Sequence, residues 1–325
     1  MDTPITLKGN NMFNKKNMKN VIIFFSFFCV LSISQNAYTY NQNPSHNWGN
    51  TCGLDPILPP PGLYFSNYVV NYSSNDFKNY KGRDLELPNG DDPDLDVVAY
   101  APQLIYVHNQ KVFNDYSVGF QLFPTIIQSY NLNSDVMSAD SSTFGDMIFG
   151  PWIGRTEKIG QNCRLHWLFE FDTYCPIGEY DKDDDINPGA NFWTFEPWLA
   201  FSFQLPYGIT LATRQQLAYN TENHDTDIQA GCLYHCNYSL WKSLDFIDPK
   251  LQLGIVGYYG KQLEDDELNG NDIDRSKEEI FAIGPGLSWT SPTGTTIRLK
   301  TYFETEAENR AEGSRIVLRI IQKIW

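Results

Sequence analysis

The stretch Arg164-Leu165-His166-Trp167-Leu168-Phe169-Glu170-Phe171-Asp172-Thr173-Tyr174 decides how the chain folds. Leu165, Trp167, Phe169 and Phe171 take one parity, while Arg164, His166, Glu170 and Asp172 take the other. A period of two gives a β-strand one apolar and one polar face. The same pattern returns at Phe192–Phe203, where Trp193, Phe195, Leu199, Phe201 and Phe203 oppose Thr194, Glu196 and Ser202. It returns again at Thr295–Glu304, where Ile297, Leu299 and Phe303 alternate with Arg298, Lys300 and Glu304. A soluble sandwich shows this alternation too, so periodicity does not separate it from a barrel.

The gaps between segments do separate them. Gly62–Tyr72 is followed by a long polar gap to Asp94, then Leu95–His108 and Asp115–Thr125 are joined briefly. After another long gap, Phe144–Thr156 and Cys163–Tyr174 form the next close pair. An acidic gap through Asn191 leads to Phe192–Leu205 and Gly208–Asn220, separated by Pro206 and Tyr207. Ile228–Lys242 and Lys250–Gln262 follow, then a gap rich in Asp and Glu to Glu278. Glu279–Ser291, Thr295–Glu304 and Ser314–Trp325 end the chain. Short and long connections in turn are the pattern of an outer-membrane barrel, with tight turns on one side and long polar loops on the other. The expected fold is all-β: one transmembrane antiparallel β-barrel of about twelve strands over residues 62–325. No stretch after residue 40 is long and apolar enough for a transmembrane helix.

Aromatic residues make up 15% of the chain, a content suited to the girdles that barrels place at both membrane interfaces. The net charge is −15, and it falls to near −18 once residues 1–37, with four lysines and one aspartate, are removed. Such a chain is not a nucleic-acid binder. The acid sits in the long gaps, at Asp91, Asp92 and Asp94, at Asp181, Asp183, Asp184 and Asp185, and at Glu264–Glu267. These groups read as solvated loop surface. The sharper alternative is divalent-cation binding, with Asp181, Asp183, Asp184 and Asp185 as candidates, although the run lacks the spaced Gly and closing Glu of an EF-hand.

Residues 1–37 read as a signal peptide. Lys15, Lys16 and Lys19 precede the apolar run Val21–Leu31, with cleavage after Ser34 or Ala37 and Met12 or Met18 as alternative starts. Export to the outer membrane of a Gram-negative bacterium follows. Residues 38–61 form a Pro-rich lead-in ending Pro59-Pro60-Pro61, which hangs in the periplasm or plugs the lumen.

Cys52, Cys163, Cys175, Cys232 and Cys236 are an odd set for an oxidising compartment. Cys232 and Cys236, four apart in one expected strand, stand about 13 Å apart and cannot bridge. A zinc site from Cys232, His235 and Cys236 is conceivable, but a strand turns His235 to the other face, and the cysteines read better as small apolar residues. No Gly-x-Ser-x-Gly elbow or phosphate loop is present and no triad assembles, so no enzyme and no cofactor is expected.

Several motifs carry a resemblance. They include Pro60–Tyr68, Ala101–Val107 and Gly178–Asp181, and above all Asn187-Pro188-Gly189-Ala190-Asn191-Phe192-Trp193-Thr194-Phe195-Glu196-Pro197. Asn220–Asn223, Gly257–Leu263 and Ile283–Gly286 complete the set. Together they resemble the family named for the meta-pathway of phenol degradation, over about residues 60–315. The resemblance implies an outer-membrane barrel that carries aromatic or other hydrophobic compounds inward, with no catalytic residues to transfer. Cys232 and Cys236 depart from a segment that is more polar in relatives, which weakens any shared lumen site.

The expected function is passive uptake of small hydrophobic or aromatic solutes. The lumen-lining residues are then Arg164, His166, Glu170, Asp172, Glu196, Arg214, Arg298 and Lys300. The same charges also suit a ladder that fills a narrow barrel and conducts nothing. In a further alternative, a non-transporting surface barrel uses its acidic loops to bind a partner or divalent cations at the lipopolysaccharide layer. Trp325 is the terminal aromatic expected to engage the barrel assembly machinery. Val317 and Ile321 share its parity, but so do Arg319 and Lys323, and a bulge that moves the apolar face to Ile316, Leu318 and Ile320 is the expected remedy.

Overall fold

The alternating segments close on themselves. In the computed structural model, which describes residues 44, 46–113, 115–140 and 143–325, twelve strands form a closed antiparallel barrel. The expected signal peptide, residues 1–37, lies outside the described residues.

The strands are β1 (Gly62–Lys78), β2 (Asp94–Val107), β3 (Ser117–Asn133), β4 (Phe144–Lys158), β5 (Arg164–Cys175) and β6 (Thr194–Leu205). They continue as β7 (Ile209–Asn220), β8 (Leu233–Ser243), β9 (Leu251–Gln262), β10 (Glu279–Thr290), β11 (Thr296–Glu308) and β12 (Arg310–Lys323). Each pairs with its neighbour in sequence, and β12 returns to β1 in a register from Tyr64 opposite Lys323 to Lys78 opposite Arg310. Closure leaves no strand edge unpaired, which a bilayer requires because hydrocarbon offers no hydrogen-bond partners. No helix among the described residues is long and apolar enough to cross a membrane.

Outward positions carry the apolar parity. Phe169, Phe171, Phe195, Phe203, Leu211, Leu253, Ile283, Leu299 and Phe303 are all exposed on the barrel wall. Inward positions along the middle of the strands are buried whatever their polarity, from Trp241 and Tyr258 to Glu196, His235 and Lys300. Inside and outside are thus reversed relative to a soluble protein, as lipid is the apolar solvent here.

Three sequence expectations are corrected. First, Ile228–Lys242 is not one strand. β8 begins at Leu233, while Ile228–Gln229 joins Glu267–Leu268 and Asn271–Asp272 in a small three-stranded sheet over the outer loops. The chain breaks at Gly231, where a β-carbon would stand 2.2 Å from the Glu264 carbonyl oxygen. Cys232 therefore lies outside the strand that holds Cys236. Second, β11 and β12 extend to meet at Asn309, whose φ of 51° suits a residue that tolerates the left-handed region. Their ladder with each other still stops at Phe303 opposite Ser314, as the expected gap between Glu304 and Ser314 implies, and the residues beyond pair with β10 and β1 instead. Third, the last strand needs no bulge: its register with β1 is unbroken from Ser314 to Lys323. Val317 and Arg319 point inward, and Ile316 is exposed on the outer face. Arg319 escapes the expected lipid-face penalty because it is a lumen residue.

The outer loops include one titratable group with an unusual position. Asp266, between β9 and β10, is buried and accepts hydrogen bonds from the Gly231 amide (2.9 Å) and Gln262 Nε2 (2.7 Å). Burial outweighs these bonds and pushes its carboxyl up to about 6, with Glu278 and Asp265 adding to the rise. The folded loop holds this proton more tightly than the unfolded chain. Its contribution to stability is therefore fully present below about pH 4 and is lost as pH rises towards 6, by up to about 3 kcal/mol. Asp266→Asn is expected to flatten that dependence and to slow proteolysis of loop 263–278 at neutral pH. Cleavage rates at pH 4.5 and 7 with an acid-tolerant and a neutral protease check it, and an unchanged pH profile would count against the assignment.

Candidate functional site

The lumen is the site, and it is occupied by the protein itself. Residues 46–58 run through the barrel interior as an irregular strap: His46, Trp48, Cys52 and Leu54 are all at most 4% exposed. An irregular segment cannot satisfy its own backbone, and a buried, unpaired carbonyl is expensive. The barrel wall supplies the partners. Lys300 Nζ donates to the Gly49 and Asn50 carbonyls, each at 2.6 Å, and the Tyr302 hydroxyl donates to Gly49 O at 2.7 Å. Asn237 accepts the Gly49 amide at 3.0 Å and donates to Asn47 O at 3.1 Å. Ser239 Oγ donates to Cys52 O, Ser202 Oγ to Gly53 O, and Arg315 to Trp48 O.

Two glycines allow this fit. Gly49 has φ +67°, and a β-carbon there would lie 2.6 Å from the Tyr302 ring. Gly53 has φ +70°, and a β-carbon would lie 2.7 Å from the Thr213 amide nitrogen. Both positions need left-handed backbone as well as close approach.

Side chains of the strap fill what remains. The Trp48 ring packs against His235 and Tyr258, with ring centroids at 5.2 and 5.8 Å, and the Arg310 guanidinium lies 4.6 Å from the Trp48 ring. Trp48, Cys52 and Leu54 belong to one buried apolar cluster with Tyr68, Phe123, Trp241, Tyr258 and Tyr302. Asp55 lies 3.6 Å from Arg319.

The expected lumen residues divide into groups. Glu170, Asp172, Glu196 and Arg214 come together on β5, β6 and β7: Arg214 Nη2 is 3.3 Å from Asp172 and 3.8 Å from Glu196, and its guanidinium stacks 3.7 Å from the Trp198 ring. Asp172 also accepts from Trp198 Nε1 and Gln121 Nε2, both at 2.8 Å. Lys300 stands apart from this group, bound to the strap. His166 pairs with Thr156 at 2.8 Å and Gln204 at 3.0 Å. Arg298 is half-buried against Ser288, and Arg164 is exposed at the start of β5. The sequence reading passed over Asn237, Ser239, Tyr302, Arg315 and Arg319, which hold the strap. Inward parity was the available signal for Tyr302, Asn237 and Ser239, whereas the pattern of the last strand put Arg315 and Arg319 on the wrong face.

The acidic-loop candidates do not converge. Asp181 accepts the Asp183 amide and Asp185 accepts the Ser138 amide, both at 2.9 Å. Among the described residues, the one trio of His, Cys, Asp or Glu with ligand atoms within 4.8 Å of one another is His46, Glu196 and His235. Among the described residues, Cys52, Cys163, Cys175, Cys232 and Cys236 are free thiols.

A closed transmembrane barrel with a self-filled lumen is the class of protein that fold and site define. The chain belongs to the family described as "Putative MetA-pathway of phenol degradation", whose family model matches residues 65–320. Among solved structures, an outer-membrane channel from Pseudomonas putida F1 is similar at TM-score 0.69 and 14% identity, over 82% of this chain and 96% of that one. At that identity it shows the shared fold. The β domain of the Bordetella autotransporter BrkA is a looser match at TM-score 0.46 and 8% identity, over 82% of this chain and 100% of that one. No curated protein matches the chain.

Proposed function

We propose that this protein is an outer-membrane channel for small hydrophobic or aromatic compounds, kept shut at rest by its own residues 46–58. One observation carries this reading: the lumen already accommodates an indole and an aliphatic side chain, Trp48 and Leu54, against an aromatic wall. A cavity that accepts these groups offers the same contacts to a free aromatic solute once the strap moves, with polar wall groups left to water. The family description, which names phenol degradation, supports the substrate class. The similar Pseudomonas putida F1 protein is itself described as a channel. Export by a signal peptide, contact with lipopolysaccharide and recognition of Trp325 by the assembly machinery belong to the same proposal.

The filled lumen also favours a second reading, a barrel that conducts nothing and works through its acidic loops. Uptake separates the two. In proteoliposomes carrying the barrel without residues 46–58, a small phenol-like solute is expected to enter several-fold faster than through protein-free membranes, while a disaccharide does not. Equal entry with and without protein, for a barrel that migrates faster unboiled than boiled on a gel, would sink the transport reading.

A further inference from the structure

We infer that His46, Glu196 and His235 form a binding site for a divalent transition-metal ion that pins the amino-terminal strap to the barrel wall. His46 comes from the strap, Glu196 from β6 and His235 from β8, and all three are at most 1% exposed. His46 Nδ1 lies 3.1 Å from Glu196 Oε2, and His235 Nε2 lies 2.9 Å from the same oxygen. The three ligand atoms fall within 4.8 Å of one another. With metal–ligand distances near 2.0–2.1 Å, ligands at the corners of a tetrahedron stand about 3.3 Å apart. The two short edges of the trio match that spacing to within a few tenths of an ångström, and the third, between the two imidazoles, closes from at most 4.8 Å.

The donor set is the one that suits zinc and its neighbours. Two imidazoles and one carboxylate favour such ions over magnesium or calcium, which prefer oxygen cages. The surrounding groups add independent support. His46 Nε2 and Gln216 Oε1 are buried and have no hydrogen-bond partner among the described residues. Gln216 Nε2 lies 3.0 Å from His235 Nδ1. Which end of that amide faces the ring is an assignment from the hydrogen-bond network. Turning it over gives Oε1 the Nδ1 proton, and His235 Nε2 is then left with its lone pair towards Glu196. A metal-bound histidine is commonly held in this way, by an acceptor on its other nitrogen. The Tyr174 hydroxyl, 3.3 Å from both Glu196 oxygens, steadies the carboxylate from the wall.

The site spans two parts of the chain that are 150 residues apart, so an ion bound there ties the strap to the barrel. It is independent of which solute the barrel passes, and it stands even if the barrel passes none. The full mature chain in detergent, titrated with Zn²⁺ by calorimetry in excess Mg²⁺, tests it. One Zn²⁺ per chain is expected, with affinity falling by at least about tenfold in His46→Ala, Glu196→Gln and His235→Ala, and by about 10–100-fold in Gln216→Ala. Bound Zn²⁺ is also expected to slow modification of Cys52 by a thiol reagent, followed on the Cys52 peptide by mass spectrometry. His46 lies outside the barrel wall, so His46→Ala keeps the test valid if a wall variant does not fold. Absence of Zn²⁺ binding, binding that survives His46→Ala unchanged, or displacement by Mg²⁺ would each overturn the site.

Discussion

Deleting residues 46–58 from the mature chain is expected to raise single-channel conductance in planar bilayers on the order of tenfold, while the barrel still migrates as a folded species without boiling. The barrel should survive because its strand ladders close from β1 to β12 without the strap. The conductance should rise because Trp48, Cys52, Leu54 and Asp55 lie in the lumen, and twelve strands without them leave space for water. The wall residues left behind, among them Lys300, Asn237, Ser239 and Arg315, are polar and would hydrate. Ordering each strap residue costs about 1–2 kcal/mol in backbone entropy, which opposes the burial and hydrogen bonds that hold it. A gate requires that balance. If the deleted barrel conducts no better than the intact one, residues 46–58 are not the closure.

Arg214→Ala is expected to lower the stability of the barrel by about 3–5 kcal/mol, the range for removing one partner of a buried charge cluster. Arg214 is 4% exposed, and its guanidinium faces Asp172 and Glu196 while lying over Trp198. Without it, two buried carboxylates lose their cation, and the Trp198 face loses its stacking partner. Arg214→Lys keeps the charge but not the planar fork, so an intermediate loss is expected. Asp172→Asn combined with Arg214→Ala should recover part of the loss, as the two groups interact directly. Urea unfolding in lipid vesicles measures all three. A loss within experimental error of zero for Arg214→Ala would show that the lumen charges are hydrated in the membrane.

Much of the fold was legible from residues alone because a barrel writes its geometry in period two. Arg164–Tyr174 and Thr296–Glu304 each carry the wall's two faces, lipid and lumen, in their parity. The boundaries that went astray did so for local tertiary reasons. Gly231 breaks β8 because of a close approach to the Glu264 backbone, and Asn309 joins β11 to β12 from the left-handed region. In β12, apolar Val317 and charged Arg319 share an inward face, so hydrophobicity misreported its orientation.

The sequence by itself determined the architecture of an outer-membrane barrel: the strand number, the alternation of short turns and long loops, and the family. Those features are local in the chain, set by side-chain parity and by gap length. Only the tertiary structure decided where the lead-in goes and which lumen residues meet. Residues 46–58 have no periodicity, and their docking depends on wall partners 150 to more than 250 residues away, from Glu196 to Lys300, Tyr302 and Arg315. The encounter of His46 with Glu196 and His235 likewise exists only once the sheet has closed and the strap lies inside it, because closure is what brings separate strands round to a shared interior.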